Sequence, residues 1–105
     1  MGKTYLSNAL SLNMLDTSSA LNIHIEPVSP AEVSTSNFIS VVGHPDTANV
    51  IANLLGCEVP FNRCSLSLSA DDTLFVAQYK GPRLPEGATE LPAGATIEFL
   101  KVNFQ

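Results

Sequence analysis

At 105 residues the chain has room for one hydrophobic core and not for two independent ones, and a content of 45% hydrophobic against 14% charged residues excludes global disorder, collagen and coiled coil. Ten acidic against five basic residues leave a net charge of −5, which excludes a broad basic face for long nucleic acid but leaves a small anionic ligand in a local pocket possible. No apolar run approaches the roughly 20 residues of a spanning helix, and the first ten residues lack the apolar stretch of a secretory signal, so one soluble, cytoplasmic domain over residues 1–105 with no membrane partner is expected.

Thr4 to Leu6 reads as a short first strand, followed by a polar turn at Ser7-Asn8 and by Ala9 to Leu15, which has the apolar content of one or two helical turns. Leu21, Ile23 and Ile25 alternate with Asn22, His24 and Glu26, the period of a half-buried strand with its polar face outward, and Pro27 and Pro30 end it. Phe38 to Val42 is a compact β-rich run stopped by Gly43. Pro45-Asp-Thr then opens a helix whose apolar positions are Val50, Ile51, Leu54 and Leu55, with Gly56 at the closing left-handed position.

Ser65-Leu-Ser-Leu-Ser alternates strictly, Ala70-Asp-Asp-Thr reads as a solvated turn, and Leu74 to Tyr79 returns as a strand, so a hairpin is expected there. Gly81 to Gly94 holds three of the seven prolines and three glycines in 14 residues and reads as a loop, where functional residues concentrate. Thr96 to Phe104 supplies the last strand. The sum is an α/β protein (α+β being the neighbouring class), with a mixed sheet of about five strands flanked by one or two helices.

Few residues invite chemistry. His44 stands where a β-rich run enters a helix N-terminus, a place that presents unpaired amides and favours a bound phosphate, and imidazole exchanges a proton near neutral pH. The same His serves equally as a plain cap. His24, on the polar side of its strand, reads as solvated. Of the five cations only Arg63 and Arg83 offer the planar fork that suits phosphate, although Arg83 with Glu86 three positions on also reads as a local ion pair. Cys57 and Cys64, seven positions apart, read as free thiols packed as small apolar groups, and with two well-separated histidines they do not make a metal site; no metal and no cofactor are expected.

Taken together, Tyr5-Leu-Ser-Asn-Ala-Leu-Ser-Leu-Asn-Met-Leu15, Val42-Gly-His-Pro-Asp-Thr47, Leu55-Gly56, Asn62-Arg63 and the stretch from Gln78 to Gly87 resemble the viral anti-CRISPR ring nuclease family of type III systems and its bacterial stand-alone and fused relatives. The resemblance runs from Tyr5 to about Val102, and the loop after Gly87, with Leu91-Pro92-Ala93-Gly94, departs from the longer helical segment of the viral members. It implies a homodimer that binds cyclic tetra-adenylate across its two-fold axis, since a ring with rotational symmetry suits a C₂ partner. It implies metal-independent cleavage, in which a ribose 2′-OH attacks its adjacent phosphorus to give linear di-adenylates ending in a 2′,3′-cyclic phosphate. By motif, His44 would be the general acid and Glu86 would orient it, stabilise its charge or position the ribose. Arg83 would clamp a phosphate, Arg63 would secure the ligand backbone or the fold beneath, and Ser11 with the Asn8-Ala9 backbone would contact ribose and phosphate. The competing expectations are a protein that only sequesters the cyclic nucleotide and a small viral structural or regulatory protein with no nucleotide ligand. The presence of His44 and Glu86 together favours turnover.

Overall fold

The protein, described by a computed structural model over residues 2–18 and 20–104, is built on a five-stranded sheet. In chain order the strands are β1 (Thr4–Ser7), β2 (Ile23–Pro27), β3 (Ile39–Ser40), β4 (Thr73–Lys80) and β5 (Thr96–Phe104), with helices α1 (Pro30–Thr35) and α2 (Pro45–Leu55) and a 3₁₀ turn at Leu12–Met14. The spatial order is β2-β5-β4-β1-β3. β1 runs parallel to both β3 and β4, whereas β5 is antiparallel to β4 and β2, so the sheet is mixed and the fold is α/β as expected. Among the described residues no helix is long and apolar enough to cross a membrane.

The long central strands follow from their sequences. β4 (Thr-Leu-Phe-Val-Ala-Gln-Tyr-Lys) is apolar on both sides because both of its faces are covered, Phe75 and Ala77 on the helix side and Leu74 and Val76 on the other. Helix α2 begins at Pro45, whose missing amide costs nothing at that position, and closes on Gly56 at φ 69°, where a side chain would be strained. Its Ala48, Ile51 and Leu55 are buried in one cluster with Leu6, Val42, Phe75 and Phe99, Val50 is buried outside that cluster, and Leu54 turns outward.

Five sequence expectations are corrected. Pro30 does not merely end β2; it opens α1 behind the N-cap Ser29, whose hydroxyl accepts the Glu32 amide, because proline is as much a helix starter as a strand breaker. Ser65 to Ser69 forms no strand, since both edges of β4 are taken by β1 and β5; its Leu68 amide bonds to the Met14 carbonyl at 2.8 Å, and Leu66 and Leu68 pack as a cover on Leu74, Val76 and Val102. The alternation there reports a buried side and not a ladder. β2 is exposed along its length, with Ile25 49% accessible, because no other part of the described chain covers that end of the sheet. Cys57 packs partly buried against the core as expected, but Cys64 is exposed; both thiols are free.

Asp72 is the fifth correction, being buried rather than solvated. Its carboxylate accepts the Lys3 amide and the Ser69 amide, each at 2.8 Å, and so ties the start of β1 to the turn before β4. The Lys3 amide, then the Ser69 amide, hold its pKa below the ordinary aspartate value against the opposing effect of burial. A carboxyl with a depressed folded pKa contributes stability that is complete above about 3.9, its unfolded value, and is lost as pH falls through the folded value. Asp72→Ala is therefore expected to lower unfolding free energy by about 2–4 kcal/mol at neutral pH, because two amides lose a charged acceptor. The difference from wild type should shrink below about pH 4 in urea titrations at a series of pH values.

Candidate functional site

Because β1, β3 and β4 are parallel, their carboxyl ends lie along one edge of the sheet, where open α/β sheets receive ligands. Asn8 and Ala9 follow β1, Gly43 and His44 follow β3, and Gly81 to Glu86 follow β4. Two adjoining cavities open there. One, of about 520 Å³, is lined by His44, Asp46, Thr47, Tyr79, Arg83, Leu84 and Glu86. The other, of about 540 Å³, includes Asn8, Ala9, Leu10, Ile25, Gln78 and Leu100 in its wall and shares Thr47 and Tyr79 with the first.

His44 is the N-cap of α2. Its Nδ1 accepts the Thr47 amide at 3.4 Å and lies 3.3 Å from Thr47 Oγ1. An acceptor Nδ1 puts the proton of the neutral ring on Nε2, a tautomer inferred from that hydrogen bond. Among the described residues Nε2 has no protein partner; the neutral ring caps through Nδ1, and a ring protonated at both nitrogens gives up the Thr47 amide and can donate from Nδ1 to Thr47 Oγ1 instead, leaving Nε2–H toward the cavity. The Gly43 amide donates to Asn8 Oδ1 at 3.4 Å, which joins the ends of β1 and β3 directly behind His44.

The β4 end is shaped by its own bonds. Tyr79 Oη donates to the Pro82 carbonyl, fixing the step that leads to Arg83. The Ala88 amide donates to the Pro85 carbonyl at 3.1 Å, and Gly87 at φ 78° completes a tight turn that leaves Glu86 at its corner. Neither Arg83 nor Glu86 takes an ion-pair partner among the described residues, so the local pair that their spacing also allowed is not formed. Both are exposed at the cavity, a cation and an anion three positions apart.

Residues 4–102 match the family described as STIV B116-like. The chain belongs to that family. Within the STIV B116-like group it is 34% identical to the uncharacterized protein ORF117 of Acidianus two-tailed virus, over 89 residues that cover 79% of this chain and 74% of the relative. Its fold is similar to B116 of Sulfolobus turreted icosahedral virus with a TM-score of 0.77 and 25% identity, covering 97% of this chain and 99% of that one. Both relatives are viral proteins.

Of the residues singled out in the sequence, His44, Arg83 and Glu86 line one cavity, and Asn8 and Ala9 line its neighbour. Ser11 caps the 3₁₀ turn, its hydroxyl accepting the Asn13 amide at 3.3 Å. Arg63 lies apart from both linings; its stem rests beside Gly43, where a Cβ would stand 3.6 Å from Arg63 Cγ, so it backs the His44 segment. His24 is exposed and among the described residues its side chain meets only Glu26, at 3.3 Å, in keeping with its place on the strand. Sequence reasoning missed Thr47 and Tyr79, which stand in both cavities; Thr47 reads as part of a helix start and Tyr79 as the end of a strand.

Proposed function

We propose that the chain is a metal-independent ring nuclease that opens cyclic tetra-adenylate by attack of a ribose 2′-OH on the neighbouring phosphorus. The observation that carries the reading is the gathering of His44, Arg83 and Glu86 around one cavity at the carboxyl edge of three parallel strands. The resemblance noted in the sequence supports it. In the reaction the O2′–P bond forms as the P–O5′ bond breaks. One proton leaves the 2′-OH and one arrives at the departing O5′, so no co-reactant is consumed.

His44 Nε2 supplies the arriving proton, a contribution of roughly 10²- to 10⁴-fold. The adjacent ligand phosphate favours the charged ring that donates it. Arg83 grips a phosphate with its planar fork. Glu86 orients or charge-stabilises the imidazole, or positions the ribose. Holding O2′, phosphorus and O5′ in line is the other large effect, because it replaces the loose geometry of free RNA.

A homodimer belongs to the same reading. Opposed residues on antiparallel strands share a face, so Ile23, Ile25 and Pro27 stand with Phe104, Val102 and Leu100, on the side away from α1 and α2. Leu21, Ile23 and Ile25 are exposed there, and this apolar surface runs into the cavity that shares Thr47 and Tyr79 with the His44 cavity. A second copy seated on it brings the two His44 sites to one two-fold axis, where a four-fold repeating ring meets identical groups twice.

Incubation with cyclic tetra-adenylate in EDTA, with products resolved by chromatography and mass analysis, tests the activity. Linear di-adenylates ending in 2′,3′-cyclic phosphate are expected. Intact ligand that still raises the melting temperature would make the protein a sequestering one, and intact ligand without that rise would remove the nucleotide altogether.

A further inference from the structure

We infer that Asp46 is the positioning residue that holds the Glu86 turn over the His44 cavity, an inference that rests on the proposed reading only for its catalytic consequence. In the Pro85–Ala88 turn the Ala88 amide closes the turn on Pro85, so the Gly87 amide points outward and needs an acceptor from elsewhere. Asp46 Oδ1 supplies it at 3.1 Å across 41 residues of chain. Asn53 stands seven positions further along α2, two turns on and on the same side of the helix, and its Nδ2 donates to the Thr89 carbonyl at 3.1 Å.

One helix therefore fixes both halves of the acid–carboxylate pair. His44 is set by the Thr47 amide at its first turn, and Glu86 is set by Asp46 one residue before Thr47. The loop from Gly81 to Gly94 contains no helix or strand that would do this from within. An acid beside a cavity that takes phosphates opposes ligand binding, and the favourable place of a carboxylate at a helix N-terminus, together with a charge-assisted bond to Gly87, accounts for its presence.

The test compares Asp46→Ala with Asp46→Asn. Both lose the charge at the helix end, and only the asparagine keeps an Oδ1 acceptor. By NMR amide exchange, the Gly87 amide is expected to lose at least about fivefold of its protection in D46A and to stay within about twofold of wild type in D46N. In single-turnover cleavage, D46A is expected to lower kcat by about 10- to 100-fold with KM within about threefold of wild type, because Glu86 is misplaced while the phosphate grip remains; D46N restores most of the rate. Unchanged Gly87 exchange in D46A overturns the tether, and an equal loss of kcat in the two variants shows charge rather than position to be at work and overturns the role. If wild-type protein leaves cyclic tetra-adenylate intact, the ring-cleavage reading falls, and Gly87 exchange still decides whether Asp46 holds the turn.

Discussion

Replacing His44 by alanine is expected to slow ring opening by at least about 10²-fold while leaving ligand affinity within about tenfold of wild type. An alkoxide is a poor leaving group, and the imidazole nitrogen at the cavity with no protein partner among the described residues, His44 Nε2, is the donor once the ligand phosphate has favoured the doubly protonated ring. Alanine removes the cap as well as the proton, at a cost of about 1 kcal/mol of stability. Asparagine separates the two losses, since its side-chain oxygen caps a helix as well as any residue and it has no proton to give. His44→Asn should therefore melt closer to wild type than His44→Ala and be equally slow in single-turnover assays with EDTA. A His44→Asn enzyme within tenfold of the wild-type rate would show that His44 is only a cap.

The part of this site that the sequence disclosed is the part with a local signature. Gly43-His44-Pro45 announces a strand running into a helix start, and that alone puts a proton-exchanging ring at a helix N-terminus. Arg83 and Glu86 were visible as charges in a loop rich in proline and glycine. That they line one cavity with His44 depends on β4 lying beside β1, a pairing between residues about 70 positions apart that no local pattern encodes. Arg63 shows the opposite failure: its position before a strand-like segment says nothing of where its guanidinium ends, and its stem backs Gly43.

The fold was legible to the same degree. β4, β5 and α2 carry their period and their caps in the chain itself. Period two in Ser65 to Ser69 suggests pairing, but alternation specifies only that one side is buried, and here the burial is against the face of the sheet, both flanks of β4 being taken by β1 and β5. Proline carried two meanings at Pro30, and the serine before it decides between them. In β2 the alternation of Leu21, Ile23 and Ile25 marks an apolar side to be buried. The described chain leaves those residues open, and an apolar stripe in a sequence does not distinguish burial within one copy from burial between two.

That ambiguity sets the second large effect. Ile25→Asp is expected to raise the dimer dissociation constant by at least about 10²-fold, because each two-fold interface would then bury the new charge twice without a partner. The monomer should fold unchanged, since Ile25 lies on an edge strand and is about half exposed, so circular dichroism and the urea midpoint of the monomeric form provide the control. Sedimentation across a concentration series reads the dissociation directly. Cleavage should follow it: at concentrations where wild type is dimeric and the variant is not, the rate falls with the dimer fraction, and it recovers as the variant is concentrated. A variant that remains dimeric would move the contact to another surface, such as the one around the exposed Phe61 and Ile39 at the β3 edge. A monomeric variant that cleaves at the wild-type rate would show that one copy of the His44, Arg83 and Glu86 cavity is sufficient for the chemistry.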